Sequence, residues 1–338
     1  MDNALNVPVV LFFFKRADLL EQIIERVRQV HPRKMYLLGD GGRTPEEQIE
    51  VEKCRIAVEK YIDWDCEIVR NYAVTNRGVY ENIGKGARWV FEREKSAIFL
   101  EDDNLPEVTF FRYCEEMLDR YAKDTRILWV CGTNYLEKYE PEDGSSYVFS
   151  QHLMPCGWAS WNDKFLKMYD GDMVHFEDRG MQKKLKYAYE CKALYRQQLY
   201  AMAGTLDKLK NHKSVSWDHQ MCFSLRANSV YGIAPKYNQI KNIGVDERST
   251  HGGVSMRKVM TRRFCGIESY PMEFPLTHPE NVVKDAEFER RTKNIILMPL
   301  SRRIMIGIVR MIKPIFGFGK YDSVSLAALK ARMMHKDV

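Results

Sequence analysis

Glu101, Asp102 and Asp103 stand in an unbroken run directly after the short apolar segment 97–100. Adjacent carboxylates repel one another unless a cation shares them. Hard oxygen ligands of this kind suit Mg2+ or Mn2+, which commonly bridge the phosphates of a nucleotide. A solvated acidic turn is the plainer reading of such a triplet, but its place after an apolar run and before Asn104-Leu105-Pro106 favours the metal. Asp40 sits within Gly39-Asp40-Gly41-Gly42, a pattern that a tight turn alone would also explain. Asp218 precedes a helical pattern at 221–228, where an N-cap belongs. His251, between Thr250 and Gly252-Gly253, could complete a metal shell or bind a diphosphate; as a lone histidine it is otherwise a surface residue.

These groups need a scaffold, and the first third of the chain supplies one. Residues 7–14 form a continuous apolar run rich in β-formers, as a strand buried on both faces requires. Residues 18–30 then put Leu19, Leu20, Ile23, Ile24, Val27 and Val30 on one helical face. Further strands are expected at 35–38, 66–69, 97–100 and 127–131, with helices at 45–61, 79–94 and about 110–121 between them. This alternation predicts an α/β fold with a mostly parallel sheet covered by helices. In such sheets ligands collect beyond the carboxyl ends of the strands, where the acidic triplet falls. From about 145 to 251 the alternation fades, although 181–210 reads as one helix.

The composition agrees with a globular protein. The chain has 338 residues, 45% hydrophobic and 29% charged, enough for a full core, which excludes a disordered chain or a disulfide-built miniprotein. Its net charge of +6 is too mild to imply nucleic acid as a partner. The run 7–14 is too short to span a bilayer and lacks the flanks of a secretory signal. Eight cysteines without a CxxC pair read as reduced thiols, so a cytoplasmic protein is expected.

Residues 99–106, FLEDDNLP, resemble the DXD region of GT-A nucleotide-sugar glycosyltransferases, most closely bacterial sugar transferases related to the N-acetylglucosaminyltransferase I type. Other segments follow in the family's order. Residues 8–16 resemble its opening strand and nucleotide loop, Asp40-Gly41-Gly42 the acid after strand two, and Asn76-Arg77-Gly78 the turn before the donor-side helix. GWASW at 157–161, WDHQ at 217–220 and Asn242-Ile243-Gly244 with Thr250-His251 resemble later motifs. The likeness covers about residues 7–252 and rests on the ordered set of motifs.

The resemblance implies a Rossmann-like GT-A domain over 1–255, with a nucleotide-sugar half to about 135 and an acceptor half beyond it, followed by a C-terminal extension, 256–338. It implies metal-dependent, inverting transfer of a sugar from a nucleoside-diphosphate donor, by likeness UDP-linked, to a saccharide or lipid-linked saccharide hydroxyl in bacterial surface glycan assembly. Asp103 and His251 would hold Mn2+ or Mg2+, and Glu101 and Asp102 would reach metal-bound water or the donor. Arg16, Asp40, Gly41, Asn76 and Gly78 would bind the nucleotide, and Asp218 would be the base. Trp158 and Trp161 would offer flat faces to the acceptor sugar, core packing being the other use of such a pair.

Two alternatives belong to other classes. An NDP-sugar nucleotidyltransferase would share the sheet and the acids, but its first strand should lead into a glycine-rich loop, and residues 14–18 hold no glycine. A membrane-surface scaffold would use the tail, where Arg302, Arg303, Arg310 and Lys313 share one side of a helical wheel and Ile304, Met305, Ile308, Met311, Ile312 and Ile315 much of the rest. That helix either packs its apolar arc on the domain or holds the chain on the inner, anionic face of the cytoplasmic membrane.

Overall fold

The computed structural model describes residues 4–246 and 255–322. Its first half runs β1 (Val9–Phe13), α1 (Ala17–Arg28), β2 (Lys34–Gly39), α2 (Pro45–Tyr61), β3 (Glu67–Tyr72), a π-helical turn (Tyr80–Lys85) continuing into α3 (Gly86–Phe91), and β4 (Ser96–Glu101). Then come β5 (Asn104–Pro106), α4 (Thr109–Arg120), β6 (Ile127–Cys131), β7 (Tyr147–Ser150), β8 (Trp158–Trp161) and α5 (Asn162–Met168). The remainder is α6 (Arg179–Tyr187), α7 (Lys192–Lys210), α8 (Asp218–Ala227), β9 (Tyr231–Pro235), β10 (Ile240–Asn242), α9 (Val259–Cys265), α10 (Ala286–Ile296) and α11 (Leu300–Ile312).

Among the described residues eight strands form one sheet in the order β3-β2-β1-β4-β8-β6-β9-β7, and β5 pairs with β10 in a small second one. The β1–β2, β2–β3, β1–β4 and β6–β9 pairs are parallel; β8 and β7 run against their neighbours. The mostly parallel, helix-flanked α/β sheet expected from the sequence is therefore present, and its β3-β2-β1-β4 portion is wound as in Rossmann-like folds. The chain leaves β1 toward β2 and β3, then returns to β1's other side as β4. That reversal opens a crevice beyond the carboxyl ends of β1 and β4.

Both faces of the sheet are packed. Leu20, Ile23, Ile24 and Val27 of α1 join Phe110, Cys114 and Met117 of α4 on one face. On the other, Phe91 and Phe165 meet a stack in which the Trp158 ring lies 3.8 Å from Phe99 and 4.1 Å from Trp129. The Trp161 indole N–H donates to the Leu118 carbonyl at 2.8 Å. Trp158 and Trp161 are 1% and 4% exposed. This corrects the expectation that they present faces to an acceptor sugar: the Trp158 ring is stacked between Phe99 and Trp129, and the buried Trp161 ring is covered by the Lys164 ammonium at 3.5 Å.

The single helix expected over 181–210 is two helices. The chain breaks at 188–191, where Tyr189 turns inward and takes the Arg226 guanidinium over its ring at 3.9 Å. At the C-terminus α10 is tied to β7 through Glu289, which accepts from the Ser150 hydroxyl at 2.5 Å and the Gln151 N–H at 2.9 Å. The Gln197 side chain of α7 bonds Ile296 O at 3.0 Å and Met298 N at 2.9 Å, so α11 starts beside α7. No residue of α11 is buried, and Leu300, Ile304, Met305, Ile308 and Met311 are all exposed. Packing of the apolar arc on the domain is thus not what this helix does. Lys313 departs from the expected basic side: it is buried, and its ammonium donates to the Asp322 carbonyl. Among the described residues no helix is long and apolar enough to cross a membrane.

Candidate active site

The reversal in strand order brings the ends of β1 and β4 side by side, with Phe12 opposite Glu101 in register. Each strand end contributes its next residues to one crevice. The Phe14 N–H, past β1, donates to Asp102 Oδ2 at 3.0 Å. Arg16 Nη1 lies 3.8 Å from Asp103 Oδ2, and its Nη2 lies 3.6 Å from Asp246. Asn104 then anchors the triplet from behind, donating to Asp103 Oδ1 at 2.6 Å and accepting the Gly157 N–H at 2.8 Å. The β5–β10 pair carries the chain back over this turn, where the Ile243 N–H meets the Asp103 carbonyl at 2.9 Å. Gly244 passes so close that a Cβ there would lie 2.4 Å from both Arg16 Nη1 and Asp103 Oδ2. Any side chain at 244 would push the guanidinium and carboxylate aside.

The triplet sits among protein atoms that disfavour its charged form. Burial first, then the neighbouring charges of Asp103, Asp102 and Asp218, hold the Glu101 carboxyl well above the usual carboxylate range. Burial and Asp103 push Asp102 up to about 7, although the Phe14 N–H and Arg16 pull the other way. Asp103 is raised by burial against the opposing pull of Arg16, Asn242 and Asn104. A carboxyl raised in the folded state stabilises the fold below its unfolded pKa and loses that contribution as pH climbs through its folded value. In chelator, therefore, Asp102→Asn is expected to gain stability relative to the wild type as pH rises from 4 to about 7, and to hold that gain above it. Urea midpoints at pH 5 and pH 8 measure this; a wild-type-to-variant difference that stays constant with pH would contradict it.

A second turn faces the same crevice from β2. Asp40 is buried, and both its oxygens are engaged. Oδ1 accepts the Gly41 and Arg77 N–H groups at 2.8 and 2.7 Å; Oδ2 accepts Asn76 Nδ2 at 3.0 Å and the Gly78 N–H at 3.1 Å. Asp40 thus shapes the 76–78 turn. Gly41 is needed for that packing, since a Cβ would come within 2.5 Å of the Thr75 backbone, and it does not line the cavity. Its expected contact with nucleotide is corrected accordingly. The π-helical turn that follows presents Asn82, whose amide oxygen accepts from Arg77 Nη2 at 3.0 Å. Such turns recur at functional sites.

These pieces wall one cavity of about 1070 Å3. Arg16, Asp40, Asn76, Gly78, Glu101, Asp102, Asp103 and Asp218 all line it, so most of the residues singled out in the sequence meet in one place. Asp218 opens α8 without capping it: Trp217 holds the N-cap position, and no side-chain cap bond forms. Its Oδ1 is buried without a hydrogen-bond partner. This corrects the N-cap reading and leaves a carboxylate oxygen free beside the cavity. His251 lies outside the described residues.

Apart from Arg16, the sequence reading placed no cation in this cavity. Lys15 and Arg43 converge on Glu47, at 2.6 and 2.7 Å, and flank the Phe14 ring beside the cavity. Arg196 of α7 and Arg302, Arg303 and Arg310 of α11 line it as well. Lys15 could have been found from its place beside Arg16 after a buried strand; the others come from distant segments.

Among the described residues no three His, Cys, Asp or Glu side chains surround a common point as a preformed metal cage. The donor set nevertheless fits a divalent cation. Mg2+ and Mn2+ take one or two protein carboxylates and complete their shell with phosphate and water, and a cation would offset the burial and mutual repulsion that lift these carboxyls.

No protein-family model matches the chain, and no curated protein is similar to it at a significant level. Among solved structures it is similar to 4-diphosphocytidyl-2C-methyl-D-erythritol synthase from Anaerococcus prevotii, at 12% identity and TM-score 0.31, over 66% of this chain and 97% of that one. A UDP-glucose pyrophosphorylase complexed with UDP-glucose is 10% identical with TM-score 0.34, over 69% and 91%. An apo UDP-glucose pyrophosphorylase is 8% identical with TM-score 0.35, over 69% and 93%. All three are nucleotidyltransferases, so inverting glycosyl transfer, the expectation from the sequence, is not what these comparisons support.

Proposed function

We propose that the cavity binds a nucleoside-diphosphate sugar together with a divalent cation, and that the chain works at the diphosphate as a nucleotidyltransferase. The observation that carries this is the meeting of Glu101, Asp102 and Asp103 with the Lys15–Arg16 end of β1 at the strand-order reversal. Asp103 and Asp102 would hold the cation, which supplies charge neutralisation at the phosphates. Arg16 and Lys15 provide the positive side chains that a loop without glycine cannot replace with a nest of backbone N–H groups. The 76–78 turn, braced by Asp40, and Asn82 supply polar groups for the nucleoside. Asp218, with its free oxygen, is the group available to orient the attacking oxygen or take its proton. A non-enzymatic scaffold would have no use for three crowded, partly buried acids.

The chemistry joins a sugar phosphate to a nucleotide, or runs in reverse. UDP-glucose, pyrophosphate and Mg2+ should then yield UTP and glucose 1-phosphate. Production of UTP that stops with EDTA is the expected result; intact UDP-glucose and other NDP-sugars after prolonged incubation would overturn the reaction class. The membrane partner belongs to the same proposal. At about 100° per residue Leu300, Ile304, Ile308 and Met311 form one outward stripe, and an anionic bilayer surface is what such a stripe beside arginines fits.

A further inference from the structure

The cavity's most unusual feature lies away from its acids. Arg196 on α7 and Arg302, Arg303 and Arg310 on α11 all line it. Arg196 and Arg310 also wall an adjoining cavity of about 520 Å3, together with Lys320, and no acidic residue lines that smaller space. Elsewhere in the chain arginines are commonly neutralised, as in Arg28 with Glu25, Arg70 with Glu59 and Arg126 with Asp124. Among the described residues no carboxylate pairs with any of these four. Like charges gathered without a counter-charge repel one another, and that cost is removed by an anion.

The groups are also held ready. The Arg310 guanidinium lies 3.7 Å over the Tyr200 ring, which fixes its plane and leaves its N–H edge open. Arg303 Nε is buried with no acceptor, a donor whose partner is missing. Arg303 and Arg310, seven residues apart, fall on the same side of α11. The bonds from Gln197 to Ile296 and Met298, and from the Tyr200 hydroxyl to the Lys320 carbonyl at 2.9 Å, fix this side against α7. Planar guanidinium forks of this kind match phosphate oxygens two at a time.

We propose that Arg196, Arg302, Arg303 and Arg310 form a second anion site, which holds a phosphate or diphosphate of the co-substrate while the carboxylate end holds the metal-bound nucleotide. The inference deepens the nucleotidyl-transfer reading in naming a phosphorylated co-substrate; the anion site itself rests only on the uncompensated arginines. A soluble sugar phosphate and a lipid headgroup both offer this chemistry, the second because α11 carries an outward apolar stripe on its other side.

The test uses the full chain in EDTA, where metal-assisted binding at the carboxylates is switched off. Calorimetric titration with inorganic pyrophosphate should show binding that weakens at least about tenfold in Arg303→Gln/Arg310→Gln, the loss of two charge-assisted contacts, and is unchanged in Asp103→Asn. Arg310→Lys, which keeps charge and loses the fork, should fall between. Because α11 buries no residue, these variants should melt with the wild type, and that is checked first. Wild-type-like pyrophosphate affinity in the folded double variant would overturn the site. Phosphatidylglycerol vesicles separate the sources: protein displaced from them by pyrophosphate takes a lipid phosphate at this site, and protein that binds pyrophosphate but ignores the vesicles takes a soluble one. Arginine-dependent pyrophosphate binding without any metal-dependent nucleotide binding would keep the site and reject the nucleotidyl-transfer reading.

Discussion

Asp103→Asn is expected to leave a folded protein that has lost metal-dependent nucleotide binding and turnover. The side chain lies at the end of β4, lines the cavity and packs no core, so its amide isostere keeps the shape of the turn. What it removes is a ligand oxygen. Even the outer-sphere partners of metal ligands are worth about 10- to 100-fold in metal affinity, so a direct ligand should cost roughly 100-fold or more in turnover. The same substitution removes a charge that raises both Glu101 and Asp102. Metal-free variant at pH 8 should therefore melt no lower than wild type, and higher if repulsion within the triplet dominates. Loss of activity with gain or retention of stability marks a site whose geometry is held against its own electrostatics. Circular-dichroism melting in EDTA, with nucleotide titrations at saturating Mn2+, measures both halves. A variant that turns over normally with Mn2+ contradicts the assignment of Asp103.

Asp218→Asn separates chemistry from structure at the other carboxylate. Since Asp218 makes no cap bond and its charge is one of those that crowd Glu101, the substitution should not destabilise the fold. Nucleotide affinity should persist, because the substitution leaves the triplet and the 76–78 turn intact. If Asp218 takes a proton in the reaction, turnover should fall by roughly two to four orders of magnitude. A stable variant with normal turnover would assign the free Oδ1 no catalytic part.

The parts of this architecture that could be read in the residues are those with a strong local signal. Residues 7–14, 35–38 and 97–100 read as strands because a parallel strand covered on both faces is apolar at every position, and β1, β2 and β4 are such strands. The 45–61 helix coincides with α2, since Thr44 caps it through the Glu47 N–H and Pro45 opens it. The short strands β7, β9 and β10 gave no such signal, being three to five residues long. The break between α6 and α7 carries no proline or glycine; it is imposed by Tyr189 packing under Arg226, a contact 37 residues away in sequence. The tryptophan pair looks alike whether it packs or binds, and only the sheet order, with β8 between β4 and β6, places it in the core. For α11 the period was legible, but not which face meets the protein. The tethers from Gln197 and Tyr200 turn its arginines and Ile306 to the cavity and Ile304 and Ile308 outward. Asp40 marks a similar limit. An acid in a glycine-rich turn can bind a ligand or brace the backbone, and here four donors already occupy its two oxygens.

The most direct measurement is a calorimetric titration of the full chain with UDP-glucose at pH 8, in Mn2+ and in EDTA. Binding in Mn2+ that disappears in EDTA and in Asp103→Asn is the predicted result. Equal affinity in Mn2+ and EDTA, or metal-dependent binding that Asp103→Asn leaves untouched, would contradict a metal-bound diphosphate at the end of β4.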